Sequence, residues 1–331
     1  MKVLVLGGSV FLSAAVARDF LERGHDVTCL SRSLAGRCPA GAIEVRADRT
    51  LGEIAYEDVC ADWDAVVDVA TDPRFVRDAL SVLGERARHW TYVSSCSVYA
   101  DQDLPDLDES AGISEPLAPG EVATLENYGA AKAAGETSCR EVVGDKLFLV
   151  RPGLIVGSGD LSDRGGYWPA RFLRDEEPVL IPEAARRFCQ TIDVRDLSRW
   201  FVAAAESALV GTFNAVGNPR LLRDVLEEIR NVTHHRGPVV VASDEWLVAR
   251  GVSAWAGQES LPLWIPAGLG FDGFSQRSNV AARREGLVLR SFEETVDDIA
   301  KYESRLGLVR PRKAGLSPSH EGELINQLAL D

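Results

Sequence analysis

Six short apolar runs, separated by segments of helical period, restrict what the first half of this chain can fold into. They are "KVLVL" (2–6), "DVTCL" (26–30), "AIEVRAD" (42–48), "DAVVDVA" (64–70), "HWTYVSS" (89–95) and "KLFLVRPGLIVG" (146–157). Runs this dense in Val, Leu and Ile suit strands covered on both faces. The intervening segments carry a helical stripe. In "VFLSAAVARDFLERG" it comprises Phe11, Leu12, Val16, Phe20 and Leu21, and Gly24 ends the helix. "PRFVRDALSVLGERA" and "YGAAKAAGETSCREVV" read as further helices. Strand and helix in alternation give an α/β fold, a doubly wound parallel sheet of Rossmann type.

After about residue 157 the alternation stops. Gly, Pro, Trp and Arg gather in loops such as "GSGDLSDRGGYWPARF" and "AWAGQESLPLWIPAGLGFDGF". We therefore divide the chain into a dinucleotide-binding region, residues 1–157, and a smaller α/β substrate-binding lid, residues 158–331. "FCQTIDVRDLSRWFVAAAE" and "GTFNAVG" are expected to return to the main domain, and the C-terminal "AGLSPSHEGELINQLALD" to form a short helix.

A net charge of -14 argues against nucleic acid or an anionic membrane as partner, because both repel an acidic surface. No apolar stretch is long enough to span a bilayer and no signal segment precedes the first strand, so a cytoplasmic protein is expected. Cys29, Cys38, Cys60, Cys96, Cys139 and Cys189 show no metal or disulfide spacing, and no metal site is expected. The remaining partner class is a small molecule.

Chemistry concentrates at two places. The turn "GGSVFLS" joins the first strand to the first helix, where free backbone N–H groups and the positive end of the helix dipole can receive a pyrophosphate. Of the G-x-x-G-x-x-G spacing only Gly7 is present. Val10 and Ser13 stand at the other two positions, so cofactor contact is assigned to Gly7, Ser9, Val10, Phe11 and Leu12. The second place is "YGAAK". One helical turn sets Lys132 on the same face as Tyr128, where an ammonium lowers the pKa of a phenol. Ser95 ends the preceding strand and can hydrogen-bond a substrate oxygen. At the end of the second strand, Ser31 and Arg32 replace the acidic residue that would accept from an adenosine ribose. A guanidinium there suits a 2′-phosphate, so NADP(H) is the expected cofactor.

In their order and spacing, the Gly7 turn, "VSSCSVYA", "YGAAK" and "RPGLIVG" resemble the extended short-chain dehydrogenase/reductases, the NAD-dependent epimerase/dehydratase group. The resemblance runs from Lys2 to about Gly217. It implies Tyr128 as general acid/base, Lys132 as its partner and ribose clamp, and Ser95, four residues before Tyr99, as the orienting hydroxyl. It further implies Asp48 and Arg49 on the adenine side, Val69 and Ala70 beside the cofactor, and Pro152, Gly153 and Leu154 against the nicotinamide. Nucleotide-sugar enzymes of the group carry an Asn near the position of Leu154, which weakens that substrate class here.

Trp168, Trp255 and Trp264, with Tyr167 and Phe271, suggest a lid that receives an aromatic or polycyclic ligand, and Arg164 is a candidate to anchor its oxygen. Arg164, Tyr167, Trp168 and Trp264 are taken as substrate-binding. The resulting expectation is an NADPH-dependent ketoreductase for a bulky, polyketide-like carbonyl compound. The alternatives are an NAD-dependent nucleotide-sugar epimerase or dehydratase, and a non-catalytic NADP(H)-binding sensor.

Overall fold

The computed structural model describes residues 1–34 and 36–330. Its centre is a seven-stranded parallel sheet. β1 (Lys2–Leu6), β2 (Asp26–Ser31), β3 (Ile43–Arg46), β4 (Ala65–Asp68), β5 (Trp90–Val93) and β6 (Leu147–Pro152) are joined by a seventh strand, Gly211–Ala215, beyond β6. The strand order reverses between β4, β1 and β2, with β3 outermost on one side and Gly211–Ala215 on the other. In such a sheet the crevice at the carboxyl ends of the strands around the reversal receives ligands.

The side-chain period of two explains why these runs are apolar throughout. Val3 and Val5 of β1 point to one face, into a core with Val16, Phe20, Phe148 and Phe201. Leu4 and Leu6 point to the other, among Val66, Val76, Tyr92 and Leu149. The first face is covered by α1 (Phe11–Glu22) and by the helix Val194–Ser207, which packs against it. The second face is covered by α2 (Pro73–Leu83) and α3 (Tyr128–Val143). Thus both "VRDLSRWFVAAAE" and "GTFNA" lie in the main domain, although they follow lid sequence.

The run "KLFLVRPGLIVG" is not one strand. Pro152 has no N–H to continue the ladder, and at Gly153 a Cβ would lie 3.0 Å from Val216 Cγ1. The chain turns out of the sheet there, and Leu154–Val156 pairs in parallel with Thr191–Asp193. Three further two-stranded ladders follow in the lid: Val179–Pro182 with Val239–Ala242, Phe188–Cys189 with Arg220–Leu221, and Ser253–Trp255 with Ser260–Pro262. The lid helices Tyr167–Phe172, Leu222–Val232, Phe292–Leu306 and Pro318–Leu328 surround their own core. Buried Arg171 donates to Glu321 at 2.5 Å and ties the C-terminal helix to this core. Among the described residues no helix is long and apolar enough to cross a membrane, and no cluster of His, Cys, Asp or Glu has metal-holding geometry.

Candidate active site

The turn after β1 is built to bring backbone close to a ligand. Gly7 and Gly8 have φ of 136° and 96°, the region that glycine tolerates. A Cβ on Gly8 would stand 2.4 Å from Cys29 Sγ, so this second glycine, which the fingerprint reading passed over, is a steric requirement. Ser13 works in the third glycine position because Gly7 leaves space: a Cβ on Gly7 would stand 3.1 Å from that of Ser13. The Ser13 hydroxyl then donates to the Val10 carbonyl at 2.8 Å. Val10 is the N-cap of α1 with extended backbone and no capping side chain. Its Cγ2 lies 3.8 Å from where a Cβ on Gly36 would be, against the loop after β2. The first N–H groups of α1 therefore have no side-chain cap. Phe11 follows at φ 40°, and Leu12 is buried in the core, so its side chain anchors the helix.

Beside this turn lies a cavity of about 190 Å³, lined by Gly7, Ser31, Arg32, Asp48, Arg49 and Phe75 among others. Arg32 is exposed there and lacks an ion-pair partner among the described residues, though its charge helps hold the Asp48 carboxyl below its usual range, behind the hydrogen bonds from Thr50. The Ser31 hydroxyl accepts from the Ser33 backbone at 3.2 Å. Arg49 is directed inward. It donates to both oxygens of buried Asp68 at 2.9 and 3.0 Å, to the Tyr56 hydroxyl and to the Phe75 carbonyl. Its guanidinium is thus committed to closing the end of β4, while the residue still lines the cavity. Val69 Cγ2 lies 3.4 Å from a Cβ built on Gly7, at the same edge. An uncapped helix start, two glycines that admit no side chain and an adjoining cavity fit the pyrophosphate of a nicotinamide dinucleotide.

Ser95, Tyr128 and Lys132 converge as the sequence spacing predicts. Tyr128 opens α3, and Gly129 allows its approach: a Cβ there would meet the Ser97 carbonyl oxygen at 2.3 Å. Burial pushes the Tyr128 phenol up, while its hydrogen bond with Ser95 and the charge of Arg164 pull it back. Ser95 is fixed in turn, since its hydroxyl caps the short turn Cys96–Val98 by accepting from the Ser97 N–H at 3.1 Å. Lys132 is buried one turn along α3. Its ammonium donates to the carbonyls of Ala70 (2.7 Å) and Val93 (2.6 Å), at the ends of β4 and β5. Burial brings it down to about 8, against the opposing field of Asp68. Behind these groups Glu136 accepts from Ser94 at 2.6 Å and from Arg151 at 2.9 and 2.7 Å, an ion pair buried between α3 and β6.

Tyr128 also lines a cavity of about 540 Å³ whose other walls include Tyr99, Trp255, Ile265, Leu269, Phe271 and Phe274. Trp255 and Phe274 meet edge-on at 5.2 Å, and Phe271 meets Phe274 at 6.1 Å. The aromatic wall thus consists of Trp255, Phe271 and Phe274. Trp168 and Trp264, expected to line it, are instead fully buried in the lid core. Their indole N–H groups are satisfied there by the Pro262 carbonyl (2.7 Å) and Asp244 (2.8 Å). Tyr167 is buried in the same core, edge-on to Trp168 at 4.9 Å. Leu154 also turns its side chain into the lid core, leaving Pro152 and Gly153 at the end of β6. Arg164 remains at the site, over the Trp255 ring at 5.5 Å. Phe274 and Leu269 gave no sequence signal beyond being apolar in a loop; Gly129, inside the "YGAAK" motif, was visible but unread.

Several solved structures share this fold at low sequence identity. UDP-N-acetylglucosamine 4-epimerase from Bacillus cereus superposes with a TM-score of 0.68 at 17% identity, covering 91% of this chain and 98% of its own. A UDP-glucose 4-epimerase gives 0.68 at 15% identity over 92% and 98%. UDP-glucuronic acid 4-epimerase from Bacillus cereus, solved in complex with NAD, gives 0.66 at 14% over 93% and 97%. No curated protein sequence matches this chain significantly. The sequence profile of the NAD dependent epimerase/dehydratase family does match, over residues 3–215, which takes in the glycine turn, the Ser95–Tyr128–Lys132 set and all seven strands of the sheet. The chain belongs to that family of nicotinamide-dependent enzymes.

Proposed function

We propose that this protein is an NADPH-dependent carbonyl reductase for a bulky aromatic ketone of polyketide type. The observation that carries the reading is the apolar, aromatic-walled cavity into which Tyr128 opens. Such a wall rewards a flat, apolar ligand and offers little to the diphosphate of a nucleotide sugar. Bound along the glycine turn, the cofactor supplies a hydride to the carbonyl carbon. The protein's part is to hold the carbonyl oxygen and to protonate it. Ser95 donates a hydrogen bond to that oxygen, and Tyr128 releases its proton to it as the C–O bond becomes an alcohol. Lys132, fastened by two carbonyls, has one remaining N–H to direct toward a cofactor hydroxyl, and its charge favours the tyrosinate left behind. Arg32 supports NADPH over NADH.

A second reading, epimerase or dehydratase action on a nucleotide sugar, is favoured by the family and by the similarity to UDP-sugar epimerases. The test separates the two. Oxidation of NADPH is followed with a panel of aromatic ketones, and in parallel UDP-sugars are assayed for epimerisation with NAD. Turnover of UDP-sugars without any ketone reduction would overturn the reductase. With a reducible ketone in hand, Tyr128→Phe is expected to lower kcat by ~10²–10⁴ with cofactor affinity retained. A phenolic substrate that supplies its own proton would leave the variant active and refute acid catalysis by tyrosine, while the need for NADPH would stand.

A further inference from the structure

Arg164 sits where an enzyme for a purely neutral ketone has no use for a charge. It is half-buried and lies on the loop Gly157–Gly166 that crosses from the lid toward the glycine turn, where a Cβ on Gly159 would come within 3.8 Å of Phe11. That loop is braced rather than loose. The Asp160 carboxylate accepts from the Ser162 N–H (2.8 Å), the Ser162 hydroxyl (2.9 Å) and the Gly165 N–H (3.2 Å). Ser158 donates to Asp298 at 2.8 Å on the helix Phe292–Leu306. With Asp160 so engaged, Arg164 forms no ion pair within 4 Å among the described residues. Its Nε donates to the Ser162 hydroxyl at 3.2 Å, and no acceptor among the described residues is bonded to its two terminal nitrogens. The guanidinium stacks over Trp255, a wall of the cavity, and its charge reaches Tyr128, another. A half-buried cation that the nearest carboxylate, Asp160, reaches only through its field is costly, and burial pushes its pKa down against that field. The cost is offset when a ligand brings the missing anion.

We infer that Arg164 is a specificity-determining residue that pairs with an anionic oxygen of the aromatic substrate, a carboxylate or an ionised phenol, while Trp255 stacks on its ring. A planar guanidinium whose two terminal nitrogens have no acceptor among the described residues matches such a group with charge-assisted hydrogen bonds. The inference rests on the aromatic-ligand reading above, and it deepens that reading by adding a charge to the substrate.

The experiment uses binding, so it does not depend on turnover. Quenching of tryptophan fluorescence is titrated with 2-naphthoate and with its neutral counterpart 2-naphthamide. A parallel pair, 4-nitrophenolate at pH 8.5 and nitrobenzene, separates phenolate from carboxylate. The expected result is at least tenfold tighter binding of one or both anions than of its neutral partner. The preference should vanish in Arg164→Gln and be partly restored in Arg164→Lys, whose point charge cannot form the fork. Retained NADPH affinity and an unchanged melting temperature of Arg164→Gln check that the fold is intact. Equal binding of anion and neutral ligand by the wild type, or a preference that survives Arg164→Gln, would overturn the inference. Anion preference without any ketone reduction would leave the site standing and sink the reductase; reduction of ketones regardless of charge would do the reverse.

Discussion

Trp255 and Trp168 belong to the same half of the molecule, and both lie in loop-rich sequence, yet one walls a cavity and the other fills a core. In the nucleotide-binding half no such divergence arises. There the strand period of two and the helix period of 3.6 assign each apolar residue to a face, and Val3, Leu4, Val5 and Leu6 alternate as they should. The lid has no long period to read. Its ladders are two to four residues long, and the fate of an aromatic ring is decided by which distant segment reaches it. Trp168 is covered because Pro262 and the helices Leu222–Val232 and Phe292–Leu306 come to its helix; Trp255, at a backbone φ of 68°, lines the same cavity as Tyr128.

The sharpest way to break this comparison is to truncate both rings. Trp168→Ala removes a fully buried indole and leaves the Pro262 carbonyl without its donor, so a loss of about 3–5 kcal/mol in unfolding free energy is expected. Trp255→Ala should cost under about 1 kcal/mol, because its ring is only partly covered and its cavity already exists. The same variant should lose affinity for aromatic ligands. Urea denaturation of the two variants measures the contrast, and comparable losses would mean that Trp255 is core as well.

A smaller effect sharpens the other side of the comparison. Arg32 stands exposed just beyond β2 with no ion-pair partner among the described residues, whereas Arg49, seventeen residues on, is locked to Asp68. Only the first is available to a 2′-phosphate. NADPH should therefore bind at least about tenfold more tightly than NADH, the worth of a charge-assisted contact. Arg32→Ala should abolish that difference in a fluorescence titration. Equal affinity in the wild type would assign the cofactor as NAD.

The legible parts of this protein are those with a local cause. The strand–turn–helix around Gly7 and the one-turn offset of Tyr128 and Lys132 follow from short-range geometry, and the sequence displays both. Ser95 is set apart from the neighbouring serines by the spacing of the resembling family, four residues before Tyr99. The uncommitted parts depend on long-range contacts. That Gly8 is required is set by Cys29 on the neighbouring strand, and that Gly129 is required is set by the Ser97 carbonyl. Nothing local reveals that Asp68, nineteen residues away, accepts from both terminal nitrogens of Arg49. The break of "KLFLVRPGLIVG" follows Pro152, a local signal, but the need for glycine at 153 is set by Val216, more than sixty residues on.

The smallest effect concerns Lys132, where local spacing and distant environment meet in one side chain. The spacing places the ammonium one turn from Tyr128; the surrounding strands bury it, and burial lowers it from 10.5 to about 8. A lysine whose folded pKa lies below its unfolded value costs stability wherever the unfolded chain holds the extra proton. The cost is complete below about pH 8 and is relieved as the pH rises toward 10.5. Between pH 7 and pH 9 the protein should therefore gain about 1 kcal/mol relative to Lys132→Met, which keeps the apolar stem and carries no charge. Urea unfolding of both proteins at the two pH values, without cofactor, gives the double difference. A difference of zero would place Lys132 in a wetter environment than the two carbonyls that hold it imply. A difference of the opposite sign would mean that the field of Asp68 outweighs burial.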